Sequence, residues 1–241
     1  MSRIILITGA AKGIGRGIVE ELIKDTNNKI MVNYNKSDKE ANNLKLINEE
    51  RLEIYKADIT SNEEIRNMVE YTLHKYGKID VLINNAGISQ IKLFNDISEE
   101  DWKKMITTNL SAPFFITQEV AKNMIHNKNG CIINISSIWG IVGGACEVHY
   151  SAAKAGLIGM SKALAKELGP SNIRVNVIAP GDIDTDMNKE LSKEDIIEIR
   201  NKTPLGKIGR PEDIAKCVKW LVEDEFTTGQ VISPNGGWII T

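Results

Sequence analysis

Short runs of β-branched residues alternate with longer helical stretches from one end of this chain to the other, and few folds tolerate that order. Runs that are apolar throughout, such as Ile4-Ile5-Leu6-Ile7, suit strands covered on both faces. Strands separated by helices run parallel, because each connection has to cross back over the sheet. The pattern predicts strands at 3–8, 29–34, 52–56, 81–84, 130–135, 174–178 and 230–233. Helical patterns fall at 13–23, 39–48, 62–76, 111–128, 150–168 and 211–222, with Asn62 and Ser98 as helix N-caps and Pro211 in a first turn. The expected fold is α/β: a doubly wound, parallel, seven-stranded sheet with helices on both faces, a Rossmann fold. No linker, repeat or low-complexity tract divides it, so residues 1–241 are read as one domain. The charged segment 182–203 is expected to form a small helical lid over the carboxyl edge of the sheet, where open α/β folds bind ligands.

Composition narrows the possible partners. The 241 residues suffice for a sizeable core, and 42% hydrophobic against 26% charged residues excludes a disordered chain. With 30 basic against 32 acidic residues the net charge is −2, which offers no field for nucleic acid or an anionic membrane. Cys131, Cys146 and Cys217 have neither disulfide-framework nor zinc-site spacing. No signal sequence and no apolar run near the ~20 residues of a membrane span is found, so the expectation is a soluble, cytoplasmic protein.

Four motifs point toward chemistry. The first strand ends in Thr8-Gly9-Ala10-Ala11-Lys12-Gly13-Ile14-Gly15 and runs straight into a helix. Glycines there let the backbone approach a pyrophosphate, and the helix N-terminus offers it free N–H groups. The spacing is GxxxGxG rather than GxGxxG, so a plain strand-to-helix turn also explains it. Asn84-Asn85-Ala86-Gly87 closes the fourth strand, and is good turn chemistry as well. Ser136-Ser137 ends the fifth strand, where a hydroxyl can bond a carbonyl oxygen. Tyr150 and Lys154 stand four residues apart, on one helix face, so the ammonium is expected to draw the phenol down from its usual ~10. Taken alone, an amphipathic helix surface also accounts for that pair.

In their order and spacing these motifs, with Pro180-Gly181 and the closing Gly229-Gln230-Val231-Ile232 and Gly236-Gly237, resemble the short-chain dehydrogenase/reductase family over essentially the whole chain. The resemblance implies that Tyr150 is the general acid in carbonyl reduction and that Ser137 polarises the same oxygen. It implies that Lys154 tunes the tyrosine and binds the nicotinamide ribose, and that Asn109 positions a water in the proton relay. Ser136 is the bland neighbour. His149, beside Tyr150, is read as a substrate-pocket or surface histidine, since no nucleophile elbow is present.

For the cofactor, the resemblance assigns Gly9, Gly13, Ile14 and Gly15 to the pyrophosphate turn, Asp58 and Ile59 to adenine, and Asn85, Ala86 and Gly87 to the adenine ribose side. Pro180, Gly181, Ile183 and Thr185 fall to the nicotinamide side. The second strand ends Val32-Asn33-Tyr34-Asn35-Lys36-Ser37, without the acid that would repel a 2′-phosphate. With Asn35, Lys36 and the Lys12 cation, this favours NADP(H) over NAD(H).

Within the family the sequence is most similar to bacterial 3-oxoacyl-(acyl-carrier-protein) reductases, through Ile-Asn-Ile-Ser-Ser, Tyr-Ser-Ala-Ala-Lys-Ala-Gly-Leu-Ile-Gly and Gly-Arg-Pro-Glu-Asp-Ile-Ala. These stretches are shared with dehydrogenases of sugars, steroids and small alcohols. Lys128 remains from the cations that grip a carrier protein, but Gly169-Pro170-Ser171-Asn172 has none before Arg174. Trp139 and Glu147 stand in the substrate loop where smaller or neutral residues are usual. The resemblance implies a homotetramer, with Phe114, Phe115 and the tail Trp238-Ile239-Ile240 at its interfaces. A binding protein that kept the fold and lost the chemistry is the rival of another class, and the full Asn109, Ser137, Tyr150 and Lys154 set argues against it.

Overall fold

The computed structural model describes residues 2–186 and 192–240. Its strands are β1 (Arg3–Ile7), β2 (Asn28–Tyr34), β3 (Leu52–Lys56), β4 (Val81–Asn84), β5 (Gly130–Ile135), β6 (Ile173–Ile178) and β7 (Val231–Ile232). Its helices are α1 (Gly13–Leu22), α2 (Asp38–Lys45), α3 (Asn62–Tyr76), α4 (Glu99–Ile106), α5 (Ala112–Asn127), α6 (Trp139–Val142), α7 (Val148–Leu168), α8 (Lys193–Lys202) and α9 (Pro211–Glu223). All described strands pair in parallel in one sheet, ordered β3-β2-β1-β4-β5-β6-β7.

Successive side chains of a strand point to opposite faces, and β1 serves both faces with apolar residues. Ile5 and Ile7 pack with Ile18 of α1 and Val218 of α9, while Leu6 packs with Met68 of α3 and Val120 of α5. Each such side chain removed from water contributes about 1.5–3 kcal/mol. Strand order reverses between β1 and β4, so the helices that follow these strands diverge and a crevice opens at the carboxyl ends of the two.

The structure departs from the sequence expectation in several places. The N-cap of α3 is Ser61, whose Oγ accepts from the Glu64 N–H, and not Asn62, which begins the helix. Ser98 does cap a helix, through a reciprocal box with Asp101, but the helix it opens, α4, has no counterpart among the expected helical patterns. That helix joins α5 through a π-helical turn, Thr107–Ser111. Pro113 has no N–H to give the Asn109 carbonyl, so an α-helical bond is impossible there and the chain widens. The last strand covers only Val231–Ile232. In the 182–203 segment α8 is present, capped by Ser192, while positions 187–191 of the expected lid lie outside the described residues.

Candidate active site

The glycine-rich turn and the end of β4 are built as one unit. Thr8 Oγ1 accepts from the N–H groups of Asn85 (3.0 Å) and Ala86 (3.1 Å), and Asn85 Nδ2 donates to the carbonyls of Thr8 and Gly9, both at 3.0 Å. Gly9 holds φ 61°, and a Cβ on it would stand 2.7 Å from Ala86 Cα. A Cβ on Gly15 would stand 2.5 Å from Asn85 Nδ2. Bare backbone therefore lines the crevice at the start of α1, as close approach of a phosphate requires, and the residues present fit a dinucleotide. Gly9, Lys12, Gly13, Ile14, Asn85, Ala86 and Gly87 line a cleft of about 310 Å³, together with Asn109, Tyr150, Lys154 and Thr185.

Of the expected catalytic set, Asn109, Tyr150 and Lys154 line this cleft and Ser137 borders the cavity adjoining it. Asn134 of β5 donates to Ser161 Oγ of α7 (2.7 Å) and accepts from Asn84 of β4 (2.8 Å), a buried polar ladder that fixes α7 against the strand ends. Ser136 Oγ donates to the Lys154 carbonyl at 3.0 Å, so this serine does hold structure. The Lys154 ammonium donates to the Ile135 carbonyl at 2.9 Å and lies 5.7 Å from the centre of the Tyr150 ring. Burial brings Lys154 down from 10.5 to about 8. Ser137 neighbours the Tyr150 phenol and its Oγ accepts from the Trp139 N–H at 3.2 Å.

The phenol itself departs from expectation. Burial pushes Tyr150 up to about 12, the Ser137 side chain opposes that rise, and the nearby Glu147 and Asp182 charges add to it. Lys154 does not set the direction, because its ammonium is turned to the Ile135 carbonyl. Asn109 is fully buried in the π turn and clamps Ile88: its Oδ1 accepts from the Ile88 N–H (3.1 Å) and its Nδ2 donates to the Ile88 carbonyl (3.0 Å). A Cβ on Gly87 would stand 2.6 Å from Asn109 Oδ1 and 3.4 Å from Lys154 Nζ, so Asn109, Gly87 and Lys154 meet at one point. His149 is not at the surface; it is fully buried, its Nε2 2.9 Å from Gln90 Oε1.

Beyond Tyr150 the cleft continues into a second cavity of about 790 Å³, bordered by Ser137, Trp139, Glu147, Pro180, Gly181, Asp182, Ile183, Thr185, Ile199 and Trp238. Two of these were missed by the sequence reading. Trp238, expected at a subunit interface, packs edge-to-face on Trp139 with ring centres 5.8 Å apart. Asp182, taken only as the first residue of a lid, joins Glu147 in the cavity wall. Burial first, and the Asp182 charge second, raise Glu147 to about 7, against the opposing effect of the Trp139 side chain.

The remaining cofactor candidates lie elsewhere. Asn35 and Lys36 are exposed after β2, close to the Asp58 carboxylate, which the Thr60 N–H holds below its usual range. Ile59 is buried in the core against α3, and none of these four lines the cleft. Lys12 is paired with Glu40 at 3.1 Å, an acid the sequence reading did not connect with it.

Residues 3–196 match the family model described as short chain dehydrogenase. The chain belongs to this family. It is 40% identical to the 3-oxoacyl-(acyl-carrier-protein) reductase FabG of Thermotoga maritima, over 99% of this chain and 98% of that one. It is 39% identical to the FabG of Buchnera aphidicola, over 98% and 96%. A solved structure of ElxO with NADP bound superposes with a TM-score of 0.92 at 33% identity, covering 99% of both chains. The chain is thus an oxidoreductase of the short-chain dehydrogenase family. Among the described residues no helix is long and apolar enough to cross a membrane, and no cluster of His, Cys, Asp or Glu has the arrangement to hold a metal.

Proposed function

We propose that this chain reduces the ketone of a 3-oxoacyl thioester with NADPH. The observation that carries the reading is the meeting of Ser137, Tyr150 and Lys154 where the glycine-lined cleft opens into the second cavity. A nicotinamide bound there would supply the hydride that the carbonyl carbon receives. Ser137 hydrogen-bonds and polarises the carbonyl oxygen. Tyr150, held as a neutral phenol at neutral pH, gives that oxygen its proton. The buried Lys154 ammonium, anchored on the Ile135 carbonyl, stands ready for the nicotinamide ribose, and Asn109 fixes the Ile88 backbone beside it. The residues that would hold the cofactor are Gly9, Gly13, Ile14 and Gly15 at its pyrophosphate, the Asp58 side chain and the Ile59 backbone at adenine, beyond the cleft itself, and Asn85, Ala86 and Gly87 along the ribose. Pro180, Gly181, Ile183 and Thr185 hold its nicotinamide end.

The NADP(H) preference draws support from Lys12 in the glycine turn before α1, from Asn35 and Lys36 after β2, and from the NADP in ElxO. The Lys12–Glu40 pair is about 40% exposed, and exposed pairs of this kind are worth at most about 1 kcal/mol, so Lys12 is free to turn to a phosphate. Arg174 donates to the Leu221 carbonyl at 2.7 Å, which leaves Lys128 as the cation of this region for a carrier protein. Acetoacetyl-coenzyme A should therefore be reduced about as well as the carrier-bound form. Exposed Phe114, Phe115 and Ile240 suit the subunit contacts of a homotetramer, and three free cysteines suit the cytoplasm.

Steady-state reduction of acetoacetyl-coenzyme A, followed at the nicotinamide absorbance, tests this reading. NADPH should be preferred, and Lys12→Glu should raise its KM about tenfold, equivalent to about 1.4 kcal/mol, while sparing NADH. A wild-type preference for NADH would reject the cofactor assignment, and failure to reduce the thioester would reject the substrate.

A further inference from the structure

The cavity beyond Tyr150 carries a carboxyl group that neither the hydride transfer nor its proton path uses. Glu147 is the N-cap residue of α7 and precedes Tyr150 by three positions. Both border the same cavity. The Trp139 side chain neighbours the Glu147 carboxyl in the cavity wall and opposes the rise in its pKa. The titratable groups that share this wall with it are Asp182 and Asp186 from the segment after β6 and the neutral Tyr150 phenol on its own helix; no Lys, Arg or His is among the described residues of this wall.

We propose that Glu147, as a neutral carboxylic acid, donates a hydrogen bond to the thioester carbonyl of the substrate while Ser137 and Tyr150 engage its ketone. The cavity then recognises two carbonyls one methylene apart. This rests on the 3-oxoacyl reading above and adds the group that distinguishes such a substrate from a simple ketone. Partial burial and the Asp182 charge raise Glu147 to about 7, so a substantial fraction stays protonated near neutrality, and a retained proton makes the carboxyl a donor. Ionisation would turn the same oxygen into an acceptor facing an acceptor.

The wild-type KM for acetoacetyl-coenzyme A should therefore rise about tenfold between pH 6 and 8, as the protonated fraction of a group titrating near 7 falls. Cyclohexanone, with one carbonyl, should show no such limb. Glu147→Gln, which carries a permanent N–H donor, should remove the limb and keep a low KM at pH 8. Calorimetry of acetoacetyl-coenzyme A binding, in buffers of different ionisation heat, should show proton uptake above pH 7 in the wild type and none in Glu147→Gln. If the thioester binds with this proton uptake yet is not reduced, the reductase reading fails and the assignment of Glu147 stands. If it is reduced with a KM flat across pH 7, or if Glu147→Gln keeps the limb, the assignment is overturned and the reductase reading stands.

Discussion

Gly9→Ala tests the way the glycine turn and the end of β4 are locked together. A non-glycine residue at φ 61° costs about 1–2 kcal/mol in backbone strain. Its new methyl would also stand 2.7 Å from Ala86 Cα and 2.8 Å from Ala86 Cβ. That neighbour has little room to give, because its N–H and that of Asn85 are both bonded to Thr8 Oγ1. Overpacking against a fixed backbone adds about 1–3 kcal/mol, for a loss of about 2–5 kcal/mol in all. Gly77 is the control: it ends α3 at φ 80° with nothing within 4 Å of its Cβ position, so Gly77→Ala bears the strain alone. Urea unfolding followed by tryptophan fluorescence, with the slope checked for constancy, gives both losses. Gly9→Ala should exceed Gly77→Ala by about 1–3 kcal/mol. Equal losses would show that Ala86 yields and that the two segments are not locked.

Lys154→Met should stabilise the protein at pH 7 while abolishing turnover. An ammonium titrating near 8 rather than 10.5 is disfavoured by its burial by about 3 kcal/mol. The folded pKa is the lower one, so this cost is complete below pH 8 and disappears as pH rises to 10.5; the gain measured by urea unfolding should shrink over that window. Asn109→Ala should lose about 1–3 kcal/mol of stability and lower kcat, since it frees both backbone groups of Ile88. An unchanged kcat would leave the Asn109 clamp without a role in the chemistry.

The sheet was legible because its strands are apolar on both faces, as Ile5, Leu6 and Ile7 illustrate by joining two different cores. The glycine turn, Ser137, Tyr150 and Lys154 were legible because each lies within a few residues of a strand end or on one helical turn. Most of what escaped was carried by contacts between distant segments, the helix junction at Asn109 being the local exception. The π turn around Asn109 follows from Pro113, yet nothing local marks it as the place where α4 and α5 fuse. Trp238 meets Trp139 from almost a hundred positions away, so its role in the cavity is visible only in three dimensions. The direction of the Tyr150 titration was misjudged for a related reason: spacing shows that Lys154 shares its face, but not that the ammonium turns to Ile135 and that burial dominates.

The proton path through Tyr150 is tested most directly by Tyr150→Phe, measured as kcat for acetoacetyl-coenzyme A alongside the dissociation constant for NADPH. Loss of the general acid should lower kcat by about 10²–10⁴, with NADPH bound about as tightly as before because the glycine turn and Lys154 are untouched. A kcat near that of the wild type, with NADPH binding intact, would remove Tyr150 from the mechanism.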